Sequence, residues 1–140
     1  MPDASDGLVG SEALVCEVTG VSQPLRHKWI EKYGLRRRPR GAYEDFDVRE
    51  LAALRCILDT LGPGDGGIAW HLIREQLVDV WDASPLVLLF DLQDKEATLV
   101  TLMPALAEAL AYGHRVLAAR LDDPLARASR AFVRAVGGSR

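Results

Sequence analysis

The 140-residue chain predicts a mainly α fold with small β elements: a winged helix-turn-helix head plus a C-terminal β-hairpin and two-helix tail. Three observations lead there. Two short helical patterns flank a Gly20-Val21 break, a basic segment centred on Pro39 and Gly41 follows them, and past Trp81 the texture changes to short apolar runs.

Residues 1–10 are rich in Asp, Ser and Gly and are expected to form a flexible N-terminus. Ser11 then reads as the N-cap of a helix through about Thr19, with Leu14, Val15 and Val18 on one face and Gly20 as its exit. Ser22 is a second N-cap, Pro24 needs no amide partner in a first helical turn, and this helix is expected to run to about Tyr33 and end at Gly34. Helices so closely joined cannot lie straight, because Gly20 permits a positive φ and Val21 offers the turn an apolar anchor. Leu25 and Trp29, four apart, are expected to pack inward. That leaves Gln23, Arg26, His27 and Lys28 facing out near the start of the second helix.

Residues 35–46 carry candidate strand residues at their ends and read as a two-stranded wing. Asp47 is the expected N-cap of a third helix, with Glu50 completing a capping box and Val48, Leu51, Leu54 and Leu58 at helical spacing. The run GPGDGG at 62–67 is expected to stop it, and Ile68, Leu72, Ile73, Leu77 and Val80 to form the apolar stripe of a fourth. Beyond it, LVLLFDL and ATLVTL read as a hairpin. Pro104 opens a helix with Leu106, Leu110, Leu117 and Leu121 on one face, and Pro124 another with Leu125, Ala128, Phe132 and Val136. The expected division is a flexible 1–10, a DNA-binding head at 11–82 and a dimerisation or effector- and partner-binding tail at 83–140.

With 49% hydrophobic residues the chain can bury a core. Its longest apolar run, residues 86–90, is too short to cross a bilayer, and its start lacks a basic and apolar leader, so a cytoplasmic protein without membrane contact is expected. Cys16 and Cys56 lack clip spacing and read as two buried thiols. The formal net charge is −3, yet residues 24–43 hold seven basic side chains against Glu31 alone, a local +6 that leaves −9 elsewhere. A chain so polarised presents one face to a polyanion and repels it from the other.

At EVTGVS and again at GAYEDFDVRELAALRCILDTLG the sequence resembles the MerR family of mercury-resistance-type bacterial regulators and their excisionase-like relatives, over about residues 14–77. The resemblance rests on the turn Thr19-Gly20-Val21-Ser22 and on Tyr43 and Phe46, separated by two residues, before an Asp-capped helix with Leu51 and Leu54. It implies a winged helix-turn-helix that binds duplex DNA as a dimer, the second helix in the major groove and the wing against backbone. Where family members commonly carry an Arg after the first wing aromatic, this chain has Glu44 and Asp45. Ser84 and Pro85 interrupt any long dimerising helix, and no cysteine follows Cys56, so DNA binding is carried over and metal sensing is not.

The residues expected to meet DNA are therefore Ser22, Gln23, Arg26, His27, Lys28, Arg36, Arg37, Arg38, Arg40 and Tyr43. The arginine cluster suits phosphates, where contacts position without specifying, while Arg26 and Gln23 suit guanine and adenine edges. Asp91, Asp94 and Glu96 flank a turn without a nearby histidine, and the scattered His27, His71 and His114 form no catalytic spacing, so neither enzymatic chemistry, cofactor nor metal is expected. The leading reading is a transcriptional regulator that binds double-stranded DNA as a homodimer through its C-terminal region, with room for a protein or small-molecule effector. An excisionase-like DNA-bending factor is the runner-up. A winged-helix adaptor that holds a protein partner through Glu44, Asp45 and its apolar tail is the third.

Overall fold

A computed structural model describes residues 8–111 and 115–138. The expected flexible start falls mostly outside these residues, as does His114. The chain is mainly helical with one small three-stranded antiparallel sheet. In order it forms α1 (Glu12–Thr19), α2 (Gln23–Tyr33), α3 (Asp45–Val80), β1 (Val87–Asp91), β2 (Glu96–Val100), α4 (Met103–Ala111), β3 (Val116–Arg120) and α5 (Asp122–Gly137). No helix among the described residues is long and apolar enough to cross a membrane.

The chain divides into two compact units, Met1–Ala52 with Leu125–Arg140, and Ala53–Pro124. This differs from a head and tail meeting at Asp82, because most of the chain's last helix belongs with α1 and α2.

In the first unit the local signals act as read. Ser11 Oγ accepts the Leu14 amide at 3.1 Å and Ser22 Oγ the Leu25 amide at 3.3 Å, so each hydroxyl satisfies a donor that its helix leaves open. Gly20 closes α1 at φ 72°, a left-handed conformation that would strain a side chain, and the next residue, Val21, is buried. Val15, Ile30, Leu35, Val48, Leu51 and Phe132 are buried in this unit.

The expected packing of α2 is overturned. Arg26, Ile30 and Tyr33 form its buried stripe, whereas Leu25 is exposed and Trp29 half-buried, edge-on to Tyr33 with ring centres 6.2 Å apart. Residues 26, 30 and 33 share one helical face as well as 25 and 29 do, and an ion-pair partner lets the first of them go inward.

The two-stranded wing also gives way. Residues 35–42 form no strand, Tyr43 bridges Gly10 instead, and Phe46 already lies in α3. The helix starts two residues before the expected cap: Asp47 Oδ2 accepts the Glu44 amide at 2.8 Å from the third helical position, closing the capping arrangement one turn earlier than Glu50 would. Asp45 is buried, its carboxylate taking a hydrogen bond from Ser129 Oγ at 2.6 Å and one from Arg49 Nε at 2.8 Å.

In the second unit the glycine-rich run breaks the helix only at Gly62, whose φ of 84° is non-helical. Helix resumes at Pro63, where a first-turn proline costs no hydrogen bond. The buried stripe that follows is Ala69, Trp70, Ile73 and Leu77, leaving the expected Ile68 and Leu72 exposed.

The hairpin forms with Asp91 opposite Glu96, and Asp91 Oδ1 accepts the Gln93 and Asp94 amides to shape its turn. Leu117 and Leu121 do not continue the helix begun at Met103. Instead β3 pairs with β1 in the order β2-β1-β3, and Leu121 follows the strand. The second unit's core includes Leu54, Ile57, Trp70, Leu86, Leu88, Phe90 and Leu121. Cys56 is half-buried and Cys16 buried; burial pushes both thiols up.

Candidate nucleic-acid interface

Glu12, in the first turn of α1, gathers the first unit's polar hub. Its Oε2 lies 2.7 Å from an Arg26 nitrogen and accepts the Tyr43 hydroxyl at 2.9 Å, while Oε1 lies 2.7 Å from His27 Nε2. Arg26 also donates to the Arg36 carbonyl at 2.9 Å and stands 4.8 Å from the centre of the Tyr43 ring. One guanidinium thus joins α1, α2 and the segment after α2. At 2% exposure Arg26 is part of the interior, not a base-reading side chain, and Tyr43 at 5% is likewise withdrawn from any groove.

Burial alone would raise the Glu12 carboxyl. The hydrogen bonds from His27 and Tyr43 and the charge of Arg26 outweigh it, holding the group below its ordinary value. In the second unit Asp122 is held low first by its hydrogen bonds from Arg120, against burial and with help from Ser84. Depressed carboxylates stabilise the fold above their unfolded values, near 4.5 for Glu12 and 3.8 for Asp122, and lose that contribution as pH falls through their folded values. Urea midpoints are accordingly expected to be flat from pH 7 to about 5 and to fall below the ordinary carboxylate range. In Glu12→Gln the acid slope should be visibly shallower.

Arg38 is the third expected contact that serves the fold. Its Nε donates to both Asp47 oxygens at 3.1 and 3.2 Å, and Glu44 lies 3.7 Å away, so it ties the loop to the start of α3. Arg36 is exposed, with its guanidinium 4.3 Å over the Phe46 ring. Its flat charge is propped on an aromatic face.

The remaining expected residues are exposed. Ser22, Gln23, His27 and Lys28 lie at and after the start of α2, His27 held by Glu12, and Arg37 and Arg40 lie in the loop. Arg37 meets Glu31 only at 3.8 Å with both side chains in water, a pairing of little strength. A recess of 480 Å³ between α1 and the loop is lined by Ser11, Glu12, Gln23, Arg38, Arg40 and Tyr43. Of the ten expected side chains the fold consumes Arg26, Arg38 and Tyr43 and leaves a cationic rim.

Sequence reading missed Glu12, the residue that organises this surface. Its position signalled only a favourable charge at a helix start, since its partners lie 14 to 31 residues away. Among the described residues no three His, Cys, Asp or Glu side chains gather as a metal site. The sequence matches no protein-family model and no curated protein.

Proposed function

We propose that this chain is a duplex-DNA-binding regulator of MerR-like type, which lays the exposed start of α2 into the major groove and sets the following loop against backbone. The observation that carries the reading is the sorting of the basic segment: Lys28, Arg36, Arg37 and Arg40 face solvent while Arg26 and Arg38 are spent on holding α1, α2 and α3 in place. Arg26 is buried and Arg38 partly so, and both are paired. Those the fold leaves exposed on one short stretch suit a polyanion.

In this reading α1, the Gly20 turn and α2 act as a helix-turn-helix, and the loop replaces a paired wing. Gln23 takes the base-reading role, because a glutamine amide matches an adenine edge and this one is exposed at the start of α2. The C-terminal region supplies the dimer that a two-fold site requires. The adaptor reading loses one of its two acids, since the Asp45 carboxylate is satisfied inside.

Titration of a labelled duplex pool at several salt concentrations tests the proposal. Affinity should fall steeply with salt, and replacing Arg36, Arg37 and Arg40 by alanine should weaken every sequence alike and flatten the log–log slope by up to about one unit per lost phosphate contact. Gln23→Ala should instead alter the ranking of sequences. Binding that is absent at low salt would overturn the reading.

A further inference from the structure

Formal charge divides with the fold. The first unit carries twelve basic against nine acidic side chains, +3, and the second five against eleven, −6. Part of the positive excess comes from α5, in the region expected to be a dimerisation or effector tail. From residue 124 to its end at Gly137 this helix holds Arg127, Arg130 and Arg134 and no acid.

Spacings of three and four residues set the three arginines on one face of α5. All three are exposed, while Leu125, Ala128, Ser129 and Phe132 on the opposite face are buried. Ser129 Oγ donates to Asp45 at 2.6 Å and the Phe132 ring closes on Gly10, so the helix is clamped with its arginines outward. Seven residues at 1.5 Å of rise make a stripe about 10 Å long.

The fold gives this stripe little internal work. Among the described residues none of the three guanidiniums makes a hydrogen bond or ion pair, and Asp123, one turn before Arg127, does not pair with it. Arg134 lies in the last turn, where a cation suits the helix dipole. Arg127 and Arg130 stand mid-helix, where like charges three apart repel. An ordinary solvated face mixes both signs, and this one does not.

Resting on the duplex-binding reading, we propose that α5 lays Arg127, Arg130 and Arg134 along the phosphate backbone of double-stranded DNA, as a second contact that positions without reading sequence. Duplex DNA carries one charge per about 1.7 Å of axis, so a stripe of about 10 Å meets several phosphates, and the planar guanidinium fork matches their oxygens. An anionic lipid surface suits α5 less, because the apolar face that would enter it is already spent on the core.

Titration of a labelled duplex pool with the full chain, with Arg127, Arg130 and Arg134 all replaced by Gln, and with all three replaced by Lys tests this. The glutamine variant should bind every duplex more weakly with the ranking unchanged, and its log–log salt slope should be shallower by about one unit per lost contact. Its deficit should therefore grow by about three- to fourfold per contact as salt falls from about 200 to about 50 mM. The lysine variant keeps the charge and should keep the slope. A glutamine variant with the natural affinity and slope, beside weakened binding when Arg36, Arg37 and Arg40 are replaced, would overturn the α5 contact and leave the duplex reading standing. Equal losses in the glutamine and lysine variants, or lost self-association in sedimentation with duplex affinity intact, would also overturn it. No duplex binding by the natural chain at low salt would overturn both.

Discussion

Replacing Arg26 by alanine is expected to destabilise the first unit strongly rather than to alter any preference among DNA sequences. The guanidinium is 2% exposed and joins Glu12 at 2.7 Å, the Arg36 carbonyl at 2.9 Å and the Tyr43 ring at 4.8 Å. Its loss leaves a half-buried carboxylate with one counter-charge fewer and a carbonyl without its donor. Breaking a buried pair from one side costs about 3–5 kcal/mol, a large part of the ~5–15 kcal/mol that holds a domain together. Urea denaturation followed by circular dichroism should show the midpoint fall strongly. Glu12→Gln should cost less, because Tyr43 and His27 retain a hydrogen-bonding partner, and the double variant should cost less than the two added, as residues in one network do. A midpoint that holds while DNA binding changes would put Arg26 back at the surface.

Phe132→Ala is expected to be as damaging for a different reason. Phe132 is fully buried in α5 and packs so closely on the chain before α1 that a Cβ on Gly10 would come within 2.9 Å of its ring. Truncation of an aromatic in such a place costs about 3–5 kcal/mol, through lost apolar transfer and the cavity left behind. The converse change follows from the same contact. Gly10→Ala should overpack by about 1–3 kcal/mol in the natural background and far less beside Phe132→Leu, where a smaller side chain leaves room. Additive losses from Gly10→Ala and Phe132→Leu would show that the two do not touch.

What was legible in the sequence was what neighbours in sequence decide. Ser11, Gly20, Ser22 and Gly34 bound α1 and α2 because capping involves residues three or four apart. The hairpin at Asp91 was legible for the same reason. Arg26 was read as outward because a charge on a helix usually faces water, and nothing local announces that Glu12 waits 14 residues earlier. The wing failed through competition: Tyr43 pairs with Gly10, and Asp47 begins the helix early enough to absorb Phe46.

β3 was hidden by its composition. VLAAR has the alanine of a helix, with Leu117 and Leu121 four apart, and becomes a strand only because β1 offers an edge. A trace of it was present nonetheless. Residues 86–90 are a continuous apolar run rather than an alternating one, the pattern of a strand covered on both faces, and β1 is indeed the central strand.

The sorting of cations into paired braces and an exposed rim is most directly tested by amide shifts of the full chain on adding a duplex selected from a random pool. The account predicts perturbation concentrated at Ser22, Gln23, Lys28, Arg36, Arg37 and Arg40, with the shifts reversed by added salt. Perturbation centred elsewhere with these six residues unmoved, or no selected duplex at all, would contradict it.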